Sequence, residues 1–186
     1  MMRNLLIFTA LLCAAVLCGA SPYGRALQQA RKVAGQGGGG DAFRQIWMQM
    51  DQVIRQNRGA LPAPAGIAGL RKLCGPGKVD PALLKLKAPG KLSEKNCSWA
   101  YVGSELGVLR VLPRDGGFPV LFTKPAPGVR QISVLFADGR SRVLDARTLK
   151  NCSSVINFLK RSSPAAASPV WQKLSVAAAR IDRAHK

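Results

Sequence analysis

The dipeptide Asp138-Gly139 lies between two short apolar-rich runs, Ile132-Ser133-Val134-Leu135-Phe136 before it and Arg142-Val143-Leu144 after it. An Asp-Gly in that setting is a strong hairpin signal, because glycine and aspartate tolerate the left-handed backbone that a tight reversal needs. The chain must therefore turn back at 138–139, and the two runs must pair antiparallel. A two-residue type I′ loop needs positive φ at both central positions and places Val134 opposite Val143. Further extended runs at 98–103, 108–112 and 119–123 precede the hairpin strands at 129–137 and 140–145. Together they predict a small antiparallel sheet.

Helical patterns flank these strands. Asp41 caps an amphipathic segment in which Phe43, Ile46, Trp47, Met50, Val53 and Ile54 recur at helical spacing, with Arg44, Gln45, Gln49 and Gln52 opposite. Such a stripe faces a core. Asn57-Arg58-Gly59 ends it, and Leu61-Pro62-Ala63-Pro64 cannot continue a helix. After the hairpin, residues 146–160 present Leu149, Cys152, Ile156 and Leu159 on one face. Ser168-Pro169 then opens a last basic helix with Trp171, Leu174, Ala178 and Ile181 on one side. The fold class that follows is α+β: N-terminal helices packed on a small antiparallel sheet, with helical additions at the C-terminus.

The amino end reads as targeting. Arg3 precedes an apolar run at 5–17, and Cys18-Gly19-Ala20 puts small residues at the −3 and −1 positions of a cut before Ser21. The run is short for a membrane span, which needs about 20 residues. A cleaved export signal and a retained anchor both fit this pattern, and both place the protein in the periplasm or cell envelope. Residues 22–34 favour another helix, which the glycines at 35–40 interrupt. The expected organisation is a signal or anchor at 1–20, a helical segment at 21–64, a β-rich domain at 65–160, and a linker with a basic helix at 161–186.

Charge and composition narrow the function. The chain of 186 residues holds 28 Lys and Arg against 9 Asp and Glu, a net charge of +19, and a single histidine, His185. One histidine close to the C-terminus leaves no Ser-His-Asp or Cys-His arrangement and no His-rich metal site. The acids are scattered, so neither a catalyst nor a cofactor is expected. Outside the first 20 residues the cysteines are Cys74, Cys97 and Cys152. Either one disulfide and one buried thiol or three reduced core thiols accounts for them, and three pairings are open. The segment 65–95 is Gly/Pro-rich and basic. Its Lys85, Lys87, Lys91 and Lys95 are candidate contacts for an anionic polymer, or else a solvated face.

Taken in order, several pieces resemble a known family. They are Ala26-Leu27-Gln28-Gln29-Ala30-Arg31, Arg44-Gln45-Ile46, Asn57-Arg58-Gly59-Ala60-Leu61-Pro62, Leu73-Cys74-Gly75-Pro76, Ser98-Trp99-Ala100-Tyr101-Val102-Gly103 and Ser133-Val134-Leu135-Phe136-Ala137-Asp138-Gly139. This series resembles bacterial prepilin-like proteins, the type II secretion pseudopilins. The nearest group carries a C-terminal domain defined by a histidine, nine residues and an Asp-Gly. The resemblance covers roughly 22–145 and implies a non-catalytic structural component with other envelope or secretion proteins as partners. Gly128 stands where that group has its defining histidine, and Arg140 where it has a second. No acid precedes Asp41, and the small-residue cut site follows the apolar run rather than preceding it. The resemblance therefore implies the globular domain, not a filament axis. A secreted basic module binding polysaccharide or DNA is the alternative, and no small-molecule substrate is inferred.

Overall fold

A computed structural model describes residues 40–86, 91–109, 112 and 117–185. The targeting segment, the helix expected at 22–34 and Lys87 lie outside the described residues. Four helices and a four-stranded antiparallel sheet make an α+β fold. In chain order they are α1 (Gly40–Gln56), α2 (Ile67–Leu73), β1 (Trp99–Tyr101), β2 (Pro119–Thr123), β3 (Gln131–Phe136), β4 (Ser141–Asp145), α3 (Cys152–Arg161) and α4 (Val170–His185). The sheet is a meander in the order β1-β2-β3-β4, so β1 and β4 are its edges. Residues Ala42–Lys186, which include both segments expected at 65–160 and 161–186, form one compact unit.

α1 forms because its apolar stripe has somewhere to go. Ile46, Met50, Val53 and Ile54 are buried, and Phe43 and Trp47 are partly so. Phe43 meets Trp99 of β1 edge-on, with ring centroids 5.9 Å apart, a geometry that aligns ring edge and ring face. The helix ends as the Asn57-Arg58-Gly59 pattern requires. Gly59, at φ 91°, donates its N–H to Ile54 O at 2.8 Å, closing carbonyls that would otherwise be orphaned.

Both faces of the sheet are covered. Register places Ala100, Phe122 and Val134 on one face and Tyr101, Leu121 and Leu135 on the other, and all six are fully buried. Just ahead of β2, Phe118 packs on Trp171 of α4 at 5.3 Å. α3 starts at Cys152 rather than at 146, because Asn151 and Ser154 form a reciprocal capping box there. Asp182 of α4 also accepts from the N–H groups of Cys152 and Ser153, at 2.8 and 2.9 Å. A carboxylate at that end complements the helix dipole. The expected buried positions Leu149, Cys152, Ile156 and Leu159, and Trp171, Leu174, Ala178 and Ile181, all lie in the core.

Two expectations need correction. The run at 108–112 is not a strand over its described residues: Val108 makes only an isolated bridge to Ala60, and Leu112 donates its N–H to Leu109 O at 3.2 Å, closing a turn within the run. The hairpin is not type I′. Phe136 donates to Arg140 O at 2.9 Å, and Gly139 donates to Phe136 O at 3.0 Å. Three residues, 137–139, thus form the loop, and of Asp138 and Gly139 only Gly139 has positive φ, at 81°. A type I turn followed by a left-handed glycine is the usual three-residue solution. The extra loop residue shifts the register by one: Val143 faces Ser133, and Val134 faces Arg142.

A buried ion pair joins segments distant in sequence. Lys124 Nζ lies 2.7 Å from Glu94 Oε2, with the lysine side chain 4% and the glutamate side chain 12% exposed. Lys124 also donates to Glu94 O at 2.7 Å, and Glu94 Oε1 accepts the N–H of Ile67, the first residue of α2, at 2.6 Å. Removing one partner of a buried pair strands the other charge and costs about 3–5 kcal/mol. Glu94→Ala is expected to lose stability of that order in denaturant unfolding, whereas Glu94→Gln combined with Lys124→Met should recover much of it. A loss under about 1 kcal/mol for Glu94→Ala would show the pair to be solvated like a surface bridge.

The turn carries its own test. A Cβ at Gly139 would come within 2.5 Å of Trp47 Nε1, and its φ is left-handed. Gly139→Val is expected to cost about 2 kcal/mol or more, a fall in Tm of roughly 5 °C or more. Asp138→Ala, at ordinary φ, should lose only its contacts to Arg140 and cost less than about 1 kcal/mol. Equal losses from the two would restore the type I′ turn.

Candidate docking surface

β4 is a sheet edge whose free side can be read from its pairing. Ala146 donates to Arg130 O at 3.0 Å, and Phe136 donates to Arg140 O. In an antiparallel ladder hydrogen-bonded pairs alternate, so even-numbered residues from 140 to 146 turn their N–H and C=O groups toward β3. Ser141, Val143 and Asp145 turn theirs outward. The one-residue register shift also brings the Val143 side chain out, 53% exposed, and Phe158 of α3 stands out at 42%.

Between them runs an open groove of about 570 Å³ lined by Arg142, Val143, Leu144, Asp145, Arg147, Thr148 and Phe158. Of these, Leu144 is buried. Asp145 Oδ2 pairs with Arg147, which donates through both Nε and Nη2. The hydrogen bonds from Arg147 hold the Asp145 carboxyl below the usual carboxylate range, and the same contact raises Arg147. Arg142, which also lines the groove, is exposed. The groove thus offers apolar contact, a strand edge and an excess of positive charge.

The other candidate residues are arranged differently. Lys85, Lys91 and Lys95 are exposed, with Lys85 in a left-handed conformation at φ 54°. Neighbouring cations act as braces. Arg71 donates to Leu92 O, Lys72 to Ala63 O and Lys78 to Lys72 O, so these cations hold backbone carbonyls. Among the described residues no group of three His, Cys, Asp or Glu could hold a metal, and no helix is long and apolar enough to cross a membrane. Sequence reasoning missed the groove because it paired Val143 with the buried Val134. The signal that could have found it was the cluster of Arg140, Arg142 and Arg147 on and around a short strand.

Cys74, Cys97 and Cys152 are all buried free thiols; no disulfide joins them. Burial pushes the Cys74 thiol from 9.0 up to about 11, with nearby Cys97 and Asp80 adding to it. Burial likewise raises Cys97 and Cys152, the latter with help from Asp182. Such thiols are poor nucleophiles.

Comparison with protein-family models, curated proteins and solved structures finds no match to this chain.

The thiols predict a pH effect. The folded chain keeps the thiols protonated where the unfolded chain ionises them, so for Cys74 the stability contributed is complete below 9.0 and is lost as pH rises toward about 11. At about pH 8, iodoacetamide should label these three sites at least about a hundredfold more slowly in the folded chain than in denaturant. Mass spectrometry of the alkylated peptides measures this, and prompt native labelling at any of the three would contradict their burial.

Proposed function

We propose that this chain is an exported, non-catalytic structural component of a cell-envelope or secretion assembly, built on a pseudopilin-like domain. One observation carries the reading: an amphipathic helix leads into an antiparallel meander, and the terminal Asp-Gly hairpin lies against Trp47 of that helix. That is the order of parts the family resemblance calls for. The acids support a structural role. Asp51 pairs with Arg55, Asp80 caps the 3-10 turn Pro81–Leu84, Glu94 holds Lys124, Asp138 holds Arg140, Asp145 holds Arg147 and Asp182 caps α3. Each of these six is engaged by a cation or a backbone N–H, whereas general acid–base work needs a group free to exchange a proton with substrate.

The alternative, a basic module for an anionic polymer, is favoured by the exposed Lys85, Lys91 and Lys95. Such a module would work through counterion release and would bind without a shaped site.

Export separates these from a cytosolic protein. Expressed with its own N-terminus in a diderm bacterium, the chain is expected in the envelope fraction, beginning at Ser21. The protein from Ser21 onward should sediment as a monomer or small oligomer, because Arg25, Arg31 and Lys32 could not be buried along a filament axis without partners. An intact cytosolic Met1 form would overturn the export reading, and filaments would restore a fibre-forming pilin. Strong, salt-sensitive retention on a polyanion resin that Lys85, Lys87 and Lys91→Gln abolishes would favour the polymer-binding module.

A further inference from the structure

We propose that β4 is a docking edge for an extended, acidic segment of a partner protein, which adds to the sheet as a fifth strand. The inference rests on the reading of the chain as a component that acts through its surfaces. It names the chemistry of what that surface takes.

Three features converge on one strand. The outward N–H and C=O groups of Ser141, Val143 and Asp145 alternate donor and acceptor along the edge. Successive outward residues on a strand lie about 6.8 Å apart, so an incoming backbone in extended form meets them in register. Beside the edge, Val143 and Phe158 offer exposed apolar surface. Around it stand Arg142 and Arg147, with Asp145 the acid among them and already held by Arg147.

Charge chooses the occupant. A second copy of this chain would bring its own Arg142 and Arg147 and its share of a +19 net charge to the same edge, and like charges across an interface suppress association. The chain's own N-terminal segment is equally unsuited, since it holds Arg25, Arg31 and Lys32 and no acid before Asp41. An acidic polysaccharide or nucleic acid satisfies the cations but cannot alternate donors with acceptors along the strand edge. An extended peptide with carboxylates on one face and apolar side chains on the other satisfies all three features. Arg142 then has two effects, keeping copies apart as edge charges commonly do and attracting the acidic strand.

The probe is a labelled peptide of alternating Glu and Val, titrated against the purified chain by fluorescence anisotropy at about 0.15 M salt. Saturable binding is expected, while the Lys-and-Val counterpart should not bind. Val143→Pro removes an outward N–H and leaves the β3 ladder intact, as proline is tolerated on edge strands. It should weaken Kd at least about tenfold with little change in Tm, and Arg142→Glu should weaken it similarly. Hydrogen exchange on the unaltered protein provides a second readout if Val143→Pro fails to fold: the amides of Ser141, Val143 and Asp145 should slow when peptide is bound. Equal affinity for Val143→Pro, no protection at those amides, or equally tight competition by dextran sulfate would overturn the proposal. Concentration-dependent dimerisation abolished by Val143→Pro would give the edge to a second copy instead. Because purified protein is used, these outcomes are independent of whether the chain is exported or assembles.

Discussion

Lys124 and Glu94 meet where several segments of the chain converge. The lysine follows directly on β2, and the glutamate lies in the connection that leads into β1. The glutamate's second oxygen receives the first N–H of α2, while its main-chain oxygen lies 2.7 Å from His185 Nδ1 near the end of α4. Two buried charges are costly to desolvate, and their mutual attraction offsets that cost only if the remaining hydrogen-bonding capacity is filled. Here it is filled by backbone. The arrangement also dictates a glycine: at Gly66, with φ 85°, a Cβ would lie 2.6 Å from Glu94 Oε1. The start of α2, the approach to β1 and the end of β2 are therefore fixed by one another. An apolar core of the same volume could not specify that geometry, because burial has no direction.

Sequence periodicity and turn chemistry reached most of the helices and the hairpin. The stripe from Phe43 to Ile54 is a helix facing the core, and Trp171, Leu174, Ala178 and Ile181 are buried along α4. The limits of legibility have physical causes. An Asp-Gly dipeptide fits both a two-residue loop and a three-residue loop with left-handed glycine, and the choice rests on tertiary contact. Trp47 lying over Gly139 is such a contact. Nothing local to residues 133–143 encodes it. The alternation of a strand has a period of two, so this single ambiguity moved Val143 from the core side to the open side. The ion pair was illegible for a related reason: Lys124 and Glu94 are 30 residues apart, and a lysine beside Pro125 reads as an ordinary surface cation.

Charge does two kinds of work in this protein. Arg71, Lys72, Lys78 and Lys124 place their cationic ends on main-chain oxygens, where they substitute for regular secondary structure in the irregular stretch between α1 and β1 and at the end of β2. A Gly/Pro-rich stretch has many backbone carbonyls outside any ladder, and each buried one needs a donor. Long cationic side chains supply donors with reach. Part of a composition that resembles a polyanion-binding protein thus also braces backbone; of these four cations Lys124 is buried, while Arg71, Lys72 and Lys78 remain exposed and keep their charge at the surface.

A second group of cations lies at the sheet edge. An unpaired strand edge is a liability, because any extended chain can pair with it. Closing the edge would remove the hazard and the binding capacity together. β4 keeps its edge and surrounds it with Arg140, Arg142 and Arg147, two of which are held by the local acids Asp138 and Asp145. Those acids neutralise the near field enough for the short strand to form beside clustered guanidinium groups, since like charges left uncompensated along a strand oppose its pairing. Arg142 has no such acid beside it in the strand and faces outward opposite Val134. The charge pattern therefore admits acidic strands and repels basic ones, including further copies of the chain itself. An open edge becomes usable by a +19 protein because the positive charge that would make it indiscriminate toward polyanions also keeps it from pairing with itself.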